Sequence, residues 1–197
     1  MQKNKLFLLC FLLISVFACK NNADATSEIG HSKTNTEISP AVFPVTEFIN
    51  GQLHDLEKMP ITPLQIITSD DGIDSFWMKR ENIRGFARPF LSPLVDSITM
   101  QPYYNSKSFF DQTINAITFF YDANNKLPKN IALTHFDVYI NPESGKVNRI
   151  YLVKQPSADS TIQLTWTTDK WFSITTIVQM AGKKPTIQKE KMIWQFD

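Results

Sequence analysis

Cysteine is scarce in this 197-residue chain: only Cys10 and Cys19 occur. A disulfide framework of the kind that staples small secreted domains is therefore excluded. Histidine is scarce too, limited to His31, His54 and His135. None of the three has the H-E-x-x-H spacing that puts two imidazoles on one helix face, so the sequence offers no metal-ligand set. There is no G-x-S-x-G elbow to expose a nucleophilic serine. "SGKV" at 144–147 lacks the upstream glycine and the trailing Ser or Thr of a phosphate loop, and reads as a β-turn. "SDDGID" at 69–74 fails as a calcium loop. With Gly72 in the sixth place, the first ligand position falls on Ile67, which carries no oxygen. An excess of one charge is also lacking: 20 basic residues face 19 acidic ones, for a net +1. Nothing in that balance suggests nucleic-acid binding. The longest apolar run, Leu6–Ala18, is shorter than the roughly 20 residues a membrane-spanning helix needs.

What the N-terminus does have is an export layout. Lys3 and Lys5 precede the apolar run, and the small Ala18 stands just before Cys19. This is the order of a secretory signal over residues 1–18. Val16-Phe17-Ala18-Cys19 resembles the lipobox of bacterial lipoproteins. The resemblance implies cleavage before Cys19, lipid attachment to its thiol and acylation of the new amine. The partner is then a membrane, reached through acylated Cys19. An ordinary secretory signal with an incidental cysteine is the alternative. Acylation explains why a thiol without a disulfide partner would stand in an oxidising compartment. Two or three acyl chains make such attachment effectively permanent, whereas one is marginal. Lys20 to Ser39 is almost devoid of large apolar residues. Such a stretch cannot bury enough surface to offset its ordering entropy, so residues 19–43 read as a tether averaging about 25 Å end to end.

Residues 44–197 read as a single α+β domain. Val45, Phe48, Ile49, Leu53 and Leu56 recur at helical spacing and predict a helix over Val45–Lys58. Leu64–Thr68 and Ile73–Met78, separated by "SDDG", predict a short hairpin. Ile83, Phe86, Ala87, Phe90 and Leu91 predict a second helix over Arg80–Leu91, kinked or ended by Pro89. Leu94–Ser108 reads as irregular. From Phe109 onward the period is close to two, in Phe109–Tyr121, Ala132–Ile140, Val147–Lys154, Thr161–Thr167, Trp171–Met180 and Thr186–Phe196. The expected architecture is two N-terminal helices and a short hairpin packed on an antiparallel meander of about five strands.

Two candidate surfaces follow. Ile117, Phe119, Tyr121, Tyr139, Tyr151 and Trp171 are placed on the second face of the sheet, where they either line a groove or lie beneath the irregular segment. Lys79, Arg80, Arg84 and Arg88 step by about four and form a basic stripe on the second helix, either solvated or meeting an anionic membrane surface or an acidic partner. His135 and Asp137 share a strand face, but no nucleophile is identified beside them, so no catalytic residue is assigned. "TSDDGIDSFWMKRENIRGFARPFLSP", "ITFFYDANNKLP" and "DVYINPESGKVNRIYLVK" give the chain its resemblance to the small lipoproteins common in Bacteroidetes. That resemblance implies a location in the cell envelope and no mechanism. Lys20-Asn21-Asn22-Ala23-Asp24 is not the acidic run that accompanies surface export in that group, so the periplasmic face of the outer membrane is expected. The expected function is a non-catalytic binding or assembly module, without cofactor or metal. The alternative is a carrier or sensor holding a lipid or other apolar ligand in a groove of the curved sheet.

Overall fold

The alternation of apolar residues along the second half of the chain becomes a single antiparallel sheet. The structure, a computed structural model, describes residues 41–195. The signal reading over 1–18, Cys19 and most of the tether lie outside the described residues. Nine strands form: β1 (Leu64–Ser69), β2 (Gly72–Trp77), β3 (Tyr104–Asp111), β4 (Ala116–Ala123), β5 (Leu133–Ile140), β6 (Val147–Ser157), β7 (Ser160–Thr167), β8 (Trp171–Val178) and β9 (Thr186–Ile193). Their order across the sheet is β2-β1-β9-β8-β7-β6-β5-β4-β3.

Nine strands replace the expected five or so, for two reasons. Phe109–Tyr121 is not one long strand. Asp111 Oδ1 accepts a hydrogen bond from Thr113 N at 2.9 Å, and Asn115 adopts a φ of 48°. Asparagine tolerates that left-handed conformation better than most residues, so the chain reverses there. The first half then extends back to Tyr104 into the segment read as irregular, and pairs with the second half from Tyr104↔Ala123 to Asp111↔Ala116. The other reason is at the opposite edge. The β1–β2 hairpin does not stand apart from the sheet; β1 pairs with the last strand, from Leu64↔Ile193 to Thr68↔Lys189.

One face of this sheet is covered. Helix α1 (Val45–Lys58) forms where the spacing predicts it, and buries Val45, Thr46, Ile49, Leu53 and Leu56. The second helix is a correction: Arg80–Leu91 is a 3-10 turn (Arg80–Asn82), one α-turn (α2, Ile83–Phe86) and a second 3-10 turn (Arg88–Leu91). Pro89 has no N–H to continue a helix, and Gly85 is costly inside one. Ile83 and Phe90 are nonetheless fully buried. Phe90 packs edge-on against Trp166 and Phe172, with ring centroids 5.4 and 5.3 Å apart. Trp166 stacks on Phe172 at 5.0 Å and meets Trp194 at 5.6 Å. Tyr121 stacks on Phe136 at 4.4 Å. Packing begins earlier than residue 44: Val42 is buried, and its N–H donates to Gln101 Oε1 at 2.8 Å.

A lysine is also buried on this covered face. Lys154 Nζ donates to the carbonyls of Pro89 and Ser92, which ties the second 3-10 turn to β6. Burial pushes its ammonium down to about 8. Among the described residues no carboxylate lies within ion-pair distance of it. The two carbonyl dipoles are its partners, and a buried donor with partners costs far less than one without.

Candidate binding face

The other face of the sheet is open, and strand register decides what stands on it. Odd-numbered positions of β4 pair with even-numbered positions of β5, as in Ile117↔Ile140 and Tyr121↔Phe136. The two strands therefore present opposite parities to the same face. Ile117, Phe119 and Tyr121 fall on the helix-covered face, where Tyr121 is 2% exposed and its hydroxyl donates to Ala41 O at 3.0 Å. Tyr139, Tyr151 and Trp171 fall on the open face. The six residues read as one groove thus divide three and three between the two faces. Parity within a strand was right, but parity between strands depends on loop lengths that periodicity does not reveal.

Following the pairs across the sheet gives two adjacent rows on the open face. The first runs Thr118, Tyr139, Arg149, Thr167, Trp171, Ile193 from β4 to β9. The second runs Phe120, Asp137, Tyr151, Thr165, Ser173, Lys191. Phe120 and Lys191 end the second row, and Tyr139, Arg149 and Trp171 stand within the first. The middle, on β7 and β8, holds the short hydroxyl side chains Thr165, Thr167 and Ser173.

At one end stands a charged chain of contacts. His135 Nδ1 lies 2.7 Å from Asp122 Oδ1 across the strand pair, and its Nε2 lies 2.8 Å from Asp137 Oδ1. The second approach is close but poorly aligned for a hydrogen bond, since Asp137 Oδ1 has no bonded partner by angle. The Asp137 contact is the main cause holding the imidazole up at about 9, Asp122 adds to it, and burial works against it. His135 is thus protonated at neutral pH and has no free lone pair to act as a general base. Tyr139 donates its hydroxyl to Asp137 Oδ2 at 3.2 Å. Burial, then the Asp137 charge, raises the Tyr139 and Tyr151 hydroxyls above the usual tyrosine range. Both ring nitrogens of His135 face carboxylates, and among the described residues no group of three or more His, Cys, Asp or Glu is placed to hold a metal ion.

Two cations of this face rest on aromatic rings. The Arg149 guanidinium lies 4.1 Å from the centre of the Tyr139 ring, and Lys191 Nζ lies 4.4 Å from that of Trp171. Among the described residues neither cation has a carboxylate within ion-pair distance. Two adjoining depressions open between these groups. One, of about 330 Å³, is lined by Ile114, Ala116, Tyr139, Asn148, Arg149, Thr167 and Trp171. The other, of about 310 Å³, is lined by Asp137, Tyr139, Arg149, Tyr151 and Thr165. Tyr139 and Arg149 belong to both.

Comparison with protein-family models, with curated proteins and with solved structures gave no match. The chemistry of this face therefore rests on its own geometry.

The basic stripe does not form as a helical face. Arg84 is engaged: its Nε and Nη2 donate to Glu57 Oε1 and Oε2 at 2.9 and 3.0 Å, and Nη1 donates to Asn50 Oδ1 at 3.0 Å. Lys79, Arg80 and Arg88 are exposed. Because the helix is broken, spacing by four does not align the four side chains. The sequence reading did not single out Asp122, Arg149, Lys191 or the hydroxyl row. A signal was present in Thr161–Thr167, whose positions opposite Ile162, Leu164 and Trp166 are all Thr or Gln. No helix among the described residues is long and apolar enough to cross a membrane.

Proposed function

We propose that this protein is a membrane-anchored, non-catalytic binding module of the bacterial cell envelope, with the open sheet face as its contact surface. Acylated Cys19 attaches it, and the segment that follows gives the domain reach. The observation that carries the reading is the pair of adjoining depressions at Tyr139 and Arg149, built on rigid strands and flanked by aromatic rings. A protonated His135 held between Asp122 and Asp137 suits a fixed electrostatic frame better than proton transfer. The carrier reading needs a continuous apolar wall, and Ile117, Phe119 and Tyr121 face the covered side instead.

Thermal unfolding of the full chain against fractionated envelope extract tests the proposal. A ligand present at about 100 times its dissociation constant adds about 2.7 kcal/mol, and so raises Tm by several degrees. At least one fraction should do this for the native chain and fail to do it for Arg149→Glu. If every fraction leaves Tm unmoved, the binding reading falls. For the anchor, Cys19→Ser should move the protein from the membrane pellet to the soluble fraction. Unchanged membrane fractionation with normal processing would overturn that half.

A further inference from the structure

The trough between the two ends of the open face has a definite chemistry. Its floor is Thr165 and Thr167, and the buried Ser173 pairs with Thr165 on the next strand. Thr167 Oγ1 is buried without a protein hydrogen-bond partner, and so is Thr118 Oγ1 beside Tyr139 on the neighbouring strand. Of the two, Thr167 lines a depression, and its unpaired hydroxyl is a donor looking for an acceptor. One wall is Tyr139, Arg149 and Tyr151; the other is Trp171 with Lys191 above it. Asp122 and Asp137 flank His135, and Asp137 Oδ2 also accepts from Tyr139. Arg149 and Lys191 rest on rings, and such contacts leave guanidinium and ammonium N–H groups available. Asp122 and Asp137 stand against His135, Arg149 and Lys191, and that positive balance attracts negative charge.

We propose that the trough binds a small organic anion, with its carboxylate or phosphate group on Arg149 and its apolar body against Trp171. The guanidinium is the group that can grip two oxyanion oxygens at once, as a planar fork of donors. The depression that holds both Arg149 and Trp171 has no carboxylate in its lining, whereas Asp137 lines the other, so the anion enters on the Trp171 side. Lys191, three strands away on β9, contributes to the field without direct contact. The size of the depression admits a ligand of about one aromatic ring plus its anionic group. This inference rests on the binding-module reading and specifies the ligand class.

Titration of the full chain, followed by calorimetry and tryptophan fluorescence, tests it with four probes: benzoate, phenyl phosphate, inorganic phosphate and neutral benzyl alcohol. Benzoate or phenyl phosphate should bind saturably, and at least tenfold more tightly than benzyl alcohol. The tighter of the two tells whether the natural group is a carboxylate or a phosphate. Binding should weaken at least tenfold in Arg149→Gln and about threefold in Lys191→Gln. It should be unchanged in Lys58→Gln, which removes an exposed cation at the end of α1, on the covered side of the sheet. Arg149→Lys, which keeps the charge and loses the fork, should fall between native and Arg149→Gln. Circular dichroism of each variant separates lost binding from lost folding. Equal binding of benzyl alcohol, insensitivity to Arg149→Gln in a folded variant, or no anion binding up to about 20 mM would each overturn the inference. If extract fractions still stabilise the protein while every anion fails, the binding module stands and its ligand is not anionic.

Discussion

His135 and Lys154 both titrate far from their ordinary ranges, and they act on stability in opposite directions. The imidazole rises from 6.5 to about 9 in the folded state because two carboxylates hold its proton. Its contribution is fully present below pH 6.5 and is lost as pH climbs towards 9. A tenfold gain in proton affinity is worth about 1.4 kcal/mol, but Asp122 is 63% exposed and solvent weakens its share. About 1–2 kcal/mol remains. Lys154 falls from 10.5 to about 8 on burial. The unfolded chain binds the extra proton between those values, so Lys154 stabilises the fold as pH rises from 8 to 10.5, by up to about 3 kcal/mol. The interval from pH 6.5 to 8 therefore belongs to His135, and from 8 to 9 the two oppose each other. Urea unfolding of the native chain should lose stability from pH 6.5 to 8, and His135→Gln should flatten the loss. A variant that keeps the native slope would show that the carboxylates do not hold the proton. Between pH 9 and 10 the native chain should regain stability, and Lys154→Met should not; above pH 10 the raised hydroxyls of Tyr104, Tyr121, Tyr139 and Tyr151 take stability away in both.

Among the elements, the broken segment from Arg80 to Leu91 raises the question of what keeps it on the sheet. Two candidates are the Arg84–Glu57 ion pair and the Phe90 ring. The ion-paired side chains are 43% and 31% exposed, so water competes for both charges. Phe90 is 1% exposed and wedged between Trp166 and Phe172. Arg84→Gln should cost about 0.5–1 kcal/mol, and Phe90→Ala about 3–5 kcal/mol, in denaturant unfolding. Equal costs would mean that the ion pair, not the aromatic cluster, holds the segment. The same contrast explains what could be read from the chain beforehand. Helix α1 and the β1–β2 turn were legible because their signals are local: a 3.6-residue apolar period, and "SDDG" between two β-branched runs. The split at 112–115 was missed because Phe109–Tyr121 alternates well enough to pass for one strand. What marks the reversal is an Asp111 side chain bonded to Thr113 N, and a left-handed Asn115. The candidate face was half legible: Tyr139, Tyr151 and Trp171 share it, but only the cross-strand register brings Asp122 to His135 and sends Tyr121 to the core.

At the scale of the whole molecule, the sheet is closed by its most distant partners. β9 sits between β8, its neighbour in sequence, and β1, near the start of the domain. Gln65 Nε2 donates to Glu190 Oε2 at 3.1 Å across 125 residues of chain. Met192 and Trp194 extend the core under the Trp166–Phe172 stack. Losing β9 thus removes two strand ladders at once and uncovers apolar surface on the covered face. It also strands the β1–β2 hairpin, and a lone two-stranded hairpin is marginal in water. Truncation before Thr186 should therefore abolish the cooperative unfolding transition rather than lower its midpoint. Near-ultraviolet circular dichroism should lose the signal of packed tryptophans, and an apolar dye should bind. The native chain, which must close this long loop before the sheet is complete, should refold on the millisecond-to-second scale of non-local β topologies. A truncated chain that still unfolds cooperatively, with only a lowered midpoint, would show that β3–β8 and the helices form a core of their own. In that case the β1–β2–β9 edge would be an addition to the fold, not the element that completes it.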